Sequence, residues 1–139
     1  MTQIVDDQLL GELLRGGHPP RTDEPAYTTG YWYVRLCQAV LGASERTGAL
    51  SQPFAGQPAN LRDQAIRRLL ELPNEIGLVS LRTLGPLIAR HRRRHRLNAL
   101  GREALAAAVH LGADVFLSVP SPRLEGALRA EGLHVEVLG

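Results

Sequence analysis

Asp6 and Asp7 close a short β-capable stretch, Gln3-Ile4-Val5, and are followed at once by Leu9, Leu10, Leu13 and Leu14 at helical spacing. Carboxylates at a strand end suit metal-assisted chemistry, because hard divalent cations take oxygen ligands and can activate water beside a phosphate. Asp6 also reads as the cap of the helix that follows, and the two readings are compatible; Asp7 alone reads as a cap. Glu103 is a third candidate acid. It leads the alanine-rich stretch Glu103-Ala104-Leu105-Ala106-Ala107-Ala108, where a solvated first-turn acid would also be favoured by the helix N-terminus.

The strongest compositional feature is Arg90-His91-Arg92-Arg93-Arg94-His95-Arg96. Arg82 to Arg102 holds seven arginines, two histidines and no acid. The rest of the chain sets nine arginines against fourteen acids, so the overall charge of +2 conceals a remainder of −5. Such asymmetry predicts a surface that meets an anion, and nucleic acid is the commonest large one. Arg90, Arg92, Arg93, Arg94 and Arg96 are the candidates for phosphate contact, with Arg35 beside them. The plain alternative is a wet helix end, since cations there are stabilising in any case. His91 and His95 stand one helical turn apart, as in a zinc site, but the five arginines and the lack of an acid in the neighbourhood disfavour a cation.

Other residues point away from particular classes. Tyr31-Trp32-Tyr33 concentrates aromatics; Trp32 falls on an apolar stripe and belongs to the core, leaving Tyr31 or Tyr33 free to stack on a base. Gly16-Gly17-His18 lacks the spacing of a phosphate-cradling loop. Ser118 and Ser121 have no base beside them in sequence. Cys37 is the single cysteine; it reads as a small buried apolar residue and points to a reducing compartment, the cytoplasm. An acidic start, Met1 to Asp7, argues against a secretory leader, and no apolar run reaches the roughly 18 residues of a membrane helix.

The elements that must position these residues follow from periodicity. Strands are expected at Gln3–Asp6, Ile76–Leu81, Asp114–Val119 and Leu133–Leu138. Helices are expected around Leu9–Leu14, Tyr31–Ala43, from an Asn60 cap to before Pro73, from Leu84 into the arginine run, over Leu100–Leu111 with Gly112 as its stop, and from Ser121-Pro122 to Gly132. Ser51–Pro58 reads as a loop. No hairpin signal joins any two strands, so crossover helices must connect parallel ones. One α/β domain over residues 1–139 is predicted: three α/β/α layers around a mostly parallel sheet of four or five strands. In such sheets function gathers at the carboxyl ends of the strands, here Asp6-Asp7, Leu81-Arg82 and Ser118-Val119-Pro120. Asp63, Glu75 and Asp114 are the remaining acids that a metal site could recruit, but Asp114 opens its strand and so sits at the wrong end.

The order of these parts resembles the PIN domain, the fold of VapC-type ribonuclease toxins. The likeness rests on Ile4-Val5-Asp6-Asp7-Gln8-Leu9-Leu10, on the acid-led helix at Glu103, on Gly112-Ala113-Asp114-Val115-Phe116-Leu117-Ser118, and on the closing segment Ser121 to Leu138. The resemblance implies three or four carboxylates around one or two Mg²⁺ or Mn²⁺ ions, with Asp6, Asp7 and Glu103 as the metal-binding and Asp6 and Glu103 as the catalytic residues. It implies an RNA substrate and pairing as a homodimer. The sequence departs from that pattern. The helix that should bring a glutamate reads Tyr31-Trp32-Tyr33-Val34-Arg35-Leu36; Gly101 stands nearer the usual third position than Glu103; and Ser118-Val119-Pro120-Ser121 replaces the fourth acid. The expectation is therefore an RNA-interacting protein with a depleted acidic site and weak or absent nuclease activity. A non-catalytic module that docks a protein partner through the arginine face, or dimerises, is the alternative.

Overall fold

The structure is a computed structural model and describes residues 1–42 and 48–138. In chain order it forms β1 (Gln3–Val5), α1 (Asp7–Leu14), β2 (Ala26–Thr28), α2 (Gly30–Leu41), α3 (Gln52–Ala55) and α4 (Ala59–Leu70). Then come β3 (Ile76–Leu78), α5 (Leu81–His91), α6 (Ala99–Leu111), β4 (Asp114–Leu117), α7 (Pro122–Ala130) and β5 (Val135–Val137). The strands make one sheet in the order β3-β2-β1-β4-β5, every neighbouring pair parallel. Side chains alternate across it. Ile4, Val115 and Leu117 join the core that includes α5, α6 and α7, while Val5 and Phe116 join the core beneath α1, α3 and α4. Helices on both faces give the three-layer α/β/α arrangement.

Four strands fall where the sequence places them, each shorter than expected. β2 is a fifth, which periodicity does not reveal: Pro25 and Gly30 bracket too few residues to show an alternation. Pairing on both edges compensates for its length, and the Thr28 hydroxyl donates to the Val5 carbonyl at 2.9 Å. The short helix α3 likewise occupies part of the expected Ser51–Pro58 loop. α4 begins at Ala59 with Pro58, not Asn60, at the cap position; the fixed φ of proline prepares that entry without a side-chain bond. α2 agrees with expectation over its described length, and Ala43, its expected end, lies outside the described residues. Where β2 meets β3, Gly77 pairs with Tyr27, and a Cβ at residue 77 would overlap the tyrosine ring.

Two features fix the frame of the sheet. α6 is capped by the Asn98 side chain, which accepts from Gly101 N at 2.8 Å, and stops at Gly112 in the left-handed region, φ 61°. Its residues Glu103 to Ala108 are all buried; small side chains let it lie close to the sheet, as its composition suggests. At the amino ends of the strands, the wholly buried Gln3 amide donates to the carbonyls of Arg21 and Glu24, and its oxygen accepts from Arg21 N. The Arg21 guanidinium pairs with Asp114 and lies 5.4 Å from the centre of the Phe116 ring.

Candidate functional site

The strand order turns back between β1 and β4, so the chain leaves these two strands in opposite directions and opens a crevice at their carboxyl ends. Asp6 sits there, buried. It caps α1: its Oδ1 accepts from Leu9 N at 3.1 Å. Its Oδ2 accepts from both Ser118 N, at 2.7 Å, and Ser118 Oγ, at 2.6 Å. Asp6 thus ties the exit of β1 to the exit of β4. Asp7 is not the cap; it is the first residue of α1, its Oδ1 accepting from Gln8 N at 2.9 Å. Asp7 Oδ2 is buried without a hydrogen-bond partner and lies 3.5 Å from Arg35 Nε. Burial raises the Asp7 carboxyl above its ordinary 3.8, the Arg35 guanidinium opposes that rise, and Asp6 adds to it.

Glu103 corrects the sequence reading. It is not a solvated first-turn acid but a fully buried one, only 1% exposed. Its Oε2 accepts from Gly30 N at 3.1 Å and its Oε1 from Tyr31 N at 2.8 Å. Together with the Thr29 hydroxyl, which accepts from Trp32 N at 3.2 Å, it satisfies the first amides of α2. Gly30 permits this approach: a Cβ there would stand 3.0 Å from Glu103 Oε2. Gly101, two residues earlier on α6 and so on a different face of the helix, lines the crevice, and Glu103 does not.

The crevice has a volume of about 1160 Å³ and is bordered by Asp6, Asp7, Trp32, Arg35, Arg96 and Arg123. Trp32 is buried, as its stripe predicts, and Tyr31 is exposed. Tyr33 is not free to stack on a base, because its hydroxyl donates to the Leu69 carbonyl at 2.6 Å. Of the arginine run, Arg96 reaches this border, while Arg90, Arg92 and Arg93 are exposed and Arg94 Nη2 lies 3.3 Å from Glu131. Arg123, at the second position of α7, is a border residue that the sequence reading missed; its one signal was the Ser121-Pro122 helix start just before it.

The carboxylates at this mouth do not fit Mg²⁺ or Mn²⁺. Such ions need several free oxygens in near-octahedral array. Both oxygens of Asp6 and both of Glu103 accept protein hydrogen bonds, and the free oxygen of Asp7 faces a guanidinium. Asp114 stands at the opposite end of β4, held by Arg21, and Asp63 and Glu75 are exposed elsewhere. Among the described residues, the group able to hold a metal ion is instead His91, His95 and Glu131. The sequence neighbourhood of the two histidines contains no acid; the fold brings one from the end of α7, with His95 Nε2 3.0 Å from Glu131 Oε2. That removes one half of the sequence argument against a cation there, the lack of an acid; the five arginines remain. No signal in the sequence links residues so far apart.

Among the described residues, no helix is long and apolar enough to cross a membrane. No family model matches this chain, and no curated protein matches it.

Proposed function

We propose that the protein is a PIN-like RNA-interacting domain, related in plan to VapC-type endoribonucleases, in which the acidic centre has become structural. One observation carries this reading: the crevice at the turn of the strand order is bordered by three arginines, while its acids are engaged by protein groups. Arg35, Arg96 and Arg123 offer planar guanidinium forks suited to phosphate oxygens. Exposed Tyr31, at the N-terminus of α2, offers a ring on which a base could stack. Without a competent metal centre, hydrolysis is expected to be weak or absent even with Mn²⁺ supplied.

The test is binding of a single-stranded RNA oligomer across a salt series. Three phosphate contacts predict a slope of log affinity against log salt near −2, at about −0.7 per contact. Replacing Arg35, Arg96 and Arg123 with glutamine should flatten that slope and weaken binding. An affinity indifferent to salt, or unchanged in the triple variant, refutes the reading. Mn²⁺-dependent cleavage of a mixed RNA pool, abolished by Asp6→Asn, would refute the structural role given to the acids.

A second reading, dimerisation, is favoured by one feature. Tyr31, Val34 and Leu41 are exposed along one stripe of α2, a spacing suited to packing against the same helix of a second copy. Sedimentation of the wild type and of Val34→Glu distinguishes a homodimer from a monomer.

A further inference from the structure

His91 is the last residue of α5, and His95 N donates to the His91 carbonyl at 3.1 Å, so the helical turn continues through both histidines. Their rings therefore lie on one side, centroids 6.3 Å apart. Glu131, the residue that closes α7, faces them: Oε2 lies 3.0 Å from His95 Nε2, and Oε1 lies 3.9 Å from His91 Nδ1. His91 is 5% exposed, and its Nδ1 is buried with no hydrogen-bond partner. A buried nitrogen without a partner, facing a carboxylate beside a second imidazole, is an arrangement that a bound metal ion would complete.

We propose that His91, His95 and Glu131 form a binding site for Zn²⁺ or a similar borderline transition metal. Two imidazoles and one carboxylate select such ions over Mg²⁺ or Ca²⁺, which prefer oxygen alone. Three candidate donor atoms lie within 4.8 Å of one another. Tetrahedral zinc with bonds of about 2.0–2.1 Å sets donors about 3.3 Å apart, so the widest pair must close in by about 1.5 Å at most. His95 and Glu131 retain some side-chain exposure, 15% and 11%, leaving a path for the ion and for water as the fourth ligand. The nearest competitor is Arg94, whose Nη2 is 3.3 Å from Glu131 Oε2. Its side chain is 60% exposed and can swing into solvent when the ion arrives. The neighbouring Arg90, Arg92, Arg93 and Arg96 oppose a cation, but as exposed groups they act through screened water. Metal binding would clamp the turn after α5 to the end of α7 and release Arg94, changing the arginine face without touching the crevice acids. The site stands independently of the RNA reading.

The test uses the full, untagged chain and the metals alone. Co²⁺ titration should give a one-to-one complex with the intense visible bands of tetrahedral coordination, displaced by Zn²⁺ and untouched by excess Mg²⁺. Zn²⁺ should raise the unfolding temperature, and a chelator should reverse the rise. His95→Gln and Glu131→Gln should each weaken Zn²⁺ binding more than about tenfold, since even loss of an outer partner commonly costs that much. The wild-type titration decides the matter if a variant misfolds: an octahedral or absent Co²⁺ spectrum overturns the site. Undiminished binding in both folded variants overturns it as well, because the metal is then held elsewhere.

Discussion

Replacing Glu103 separates a structural acid from a catalytic one. Its carboxylate accepts two backbone amides at the start of α2, at 3.1 and 2.8 Å, in a setting closed to water. Hydrogen bonds to a charged group contribute about 1.5–3 kcal/mol each. Glu103→Ala strands both donors, and part of that loss is recovered by water entering the vacated space, so a destabilisation of about 3 kcal/mol is expected. Glu103→Gln keeps the shape and one acceptor but turns an amide toward the other N–H, for a cost of about 1.5 kcal/mol. In a domain of this size these losses lower the unfolding midpoint by roughly 9 and 5 °C, at about 3 °C per kcal/mol. Thermal and urea unfolding of the three proteins, with RNA affinity measured below the lower midpoint, is the assay. Stability should fall in the order wild type, Gln, Ala, while RNA affinity of the folded protein stays constant. Midpoints within a degree of wild type, together with loss of Mn²⁺-dependent cleavage, would show that Glu103 serves a metal and that its place under α2 is incidental.

Three further outcomes are expected. Gly77→Ala should destabilise the fold by about 2 kcal/mol, as overpacking does, because its Cβ meets the Tyr27 ring; urea unfolding reads this directly. Asp7 has a raised folded pKa, so its contribution to stability is greatest below its unfolded value of 3.8 and is lost as pH rises through the folded one. Asp7→Asn should remove that fall from a stability–pH profile, and an unchanged profile would show that the carboxyl is not strained by burial. Gly101→Asp would place a carboxylate on the crevice, its Cβ pressing on Asn98 Oδ1 at 3.2 Å and Leu97 Cβ at 3.3 Å, which must each give by a few tenths of an ångström. Mn²⁺ affinity measured by calorimetry should rise in that variant; no gain would mean that Gly101 does not face the ion's place.

How much of this was legible in the sequence depended on how local the signal was. β4 and α6 are written in neighbouring residues: an unbroken apolar run, an alanine-rich stretch, a glycine stop. Asp6 was legible as a residue of interest because it ends one strand and begins one helix, both visible in a dozen residues. β2 was hidden, since three residues cannot display a period and its stability comes from strands on either side. The fate of Glu103 was hidden for a related reason: its partners, Gly30 and Tyr31, stand more than seventy positions earlier in the chain. The same distance problem concealed Glu131, which turns a histidine pair that looked hostile to cations into one with a carboxylate in reach.

The Gln3 amide and the Arg21–Asp114 pair have a consequence for how the domain can vary. They stitch the first strand, the segment before the second and the start of the fourth into a single knot at one pole of the sheet. Breaking any thread of that knot leaves polar atoms stranded inside, so this pole resists alteration. Asp7 and Arg35, at the other pole, are an acid and a base that one altered residue could uncouple without loosening the knot. Innovation in such a protein is therefore confined to one end, and a new specificity can be tried there while the far end keeps the chain folded.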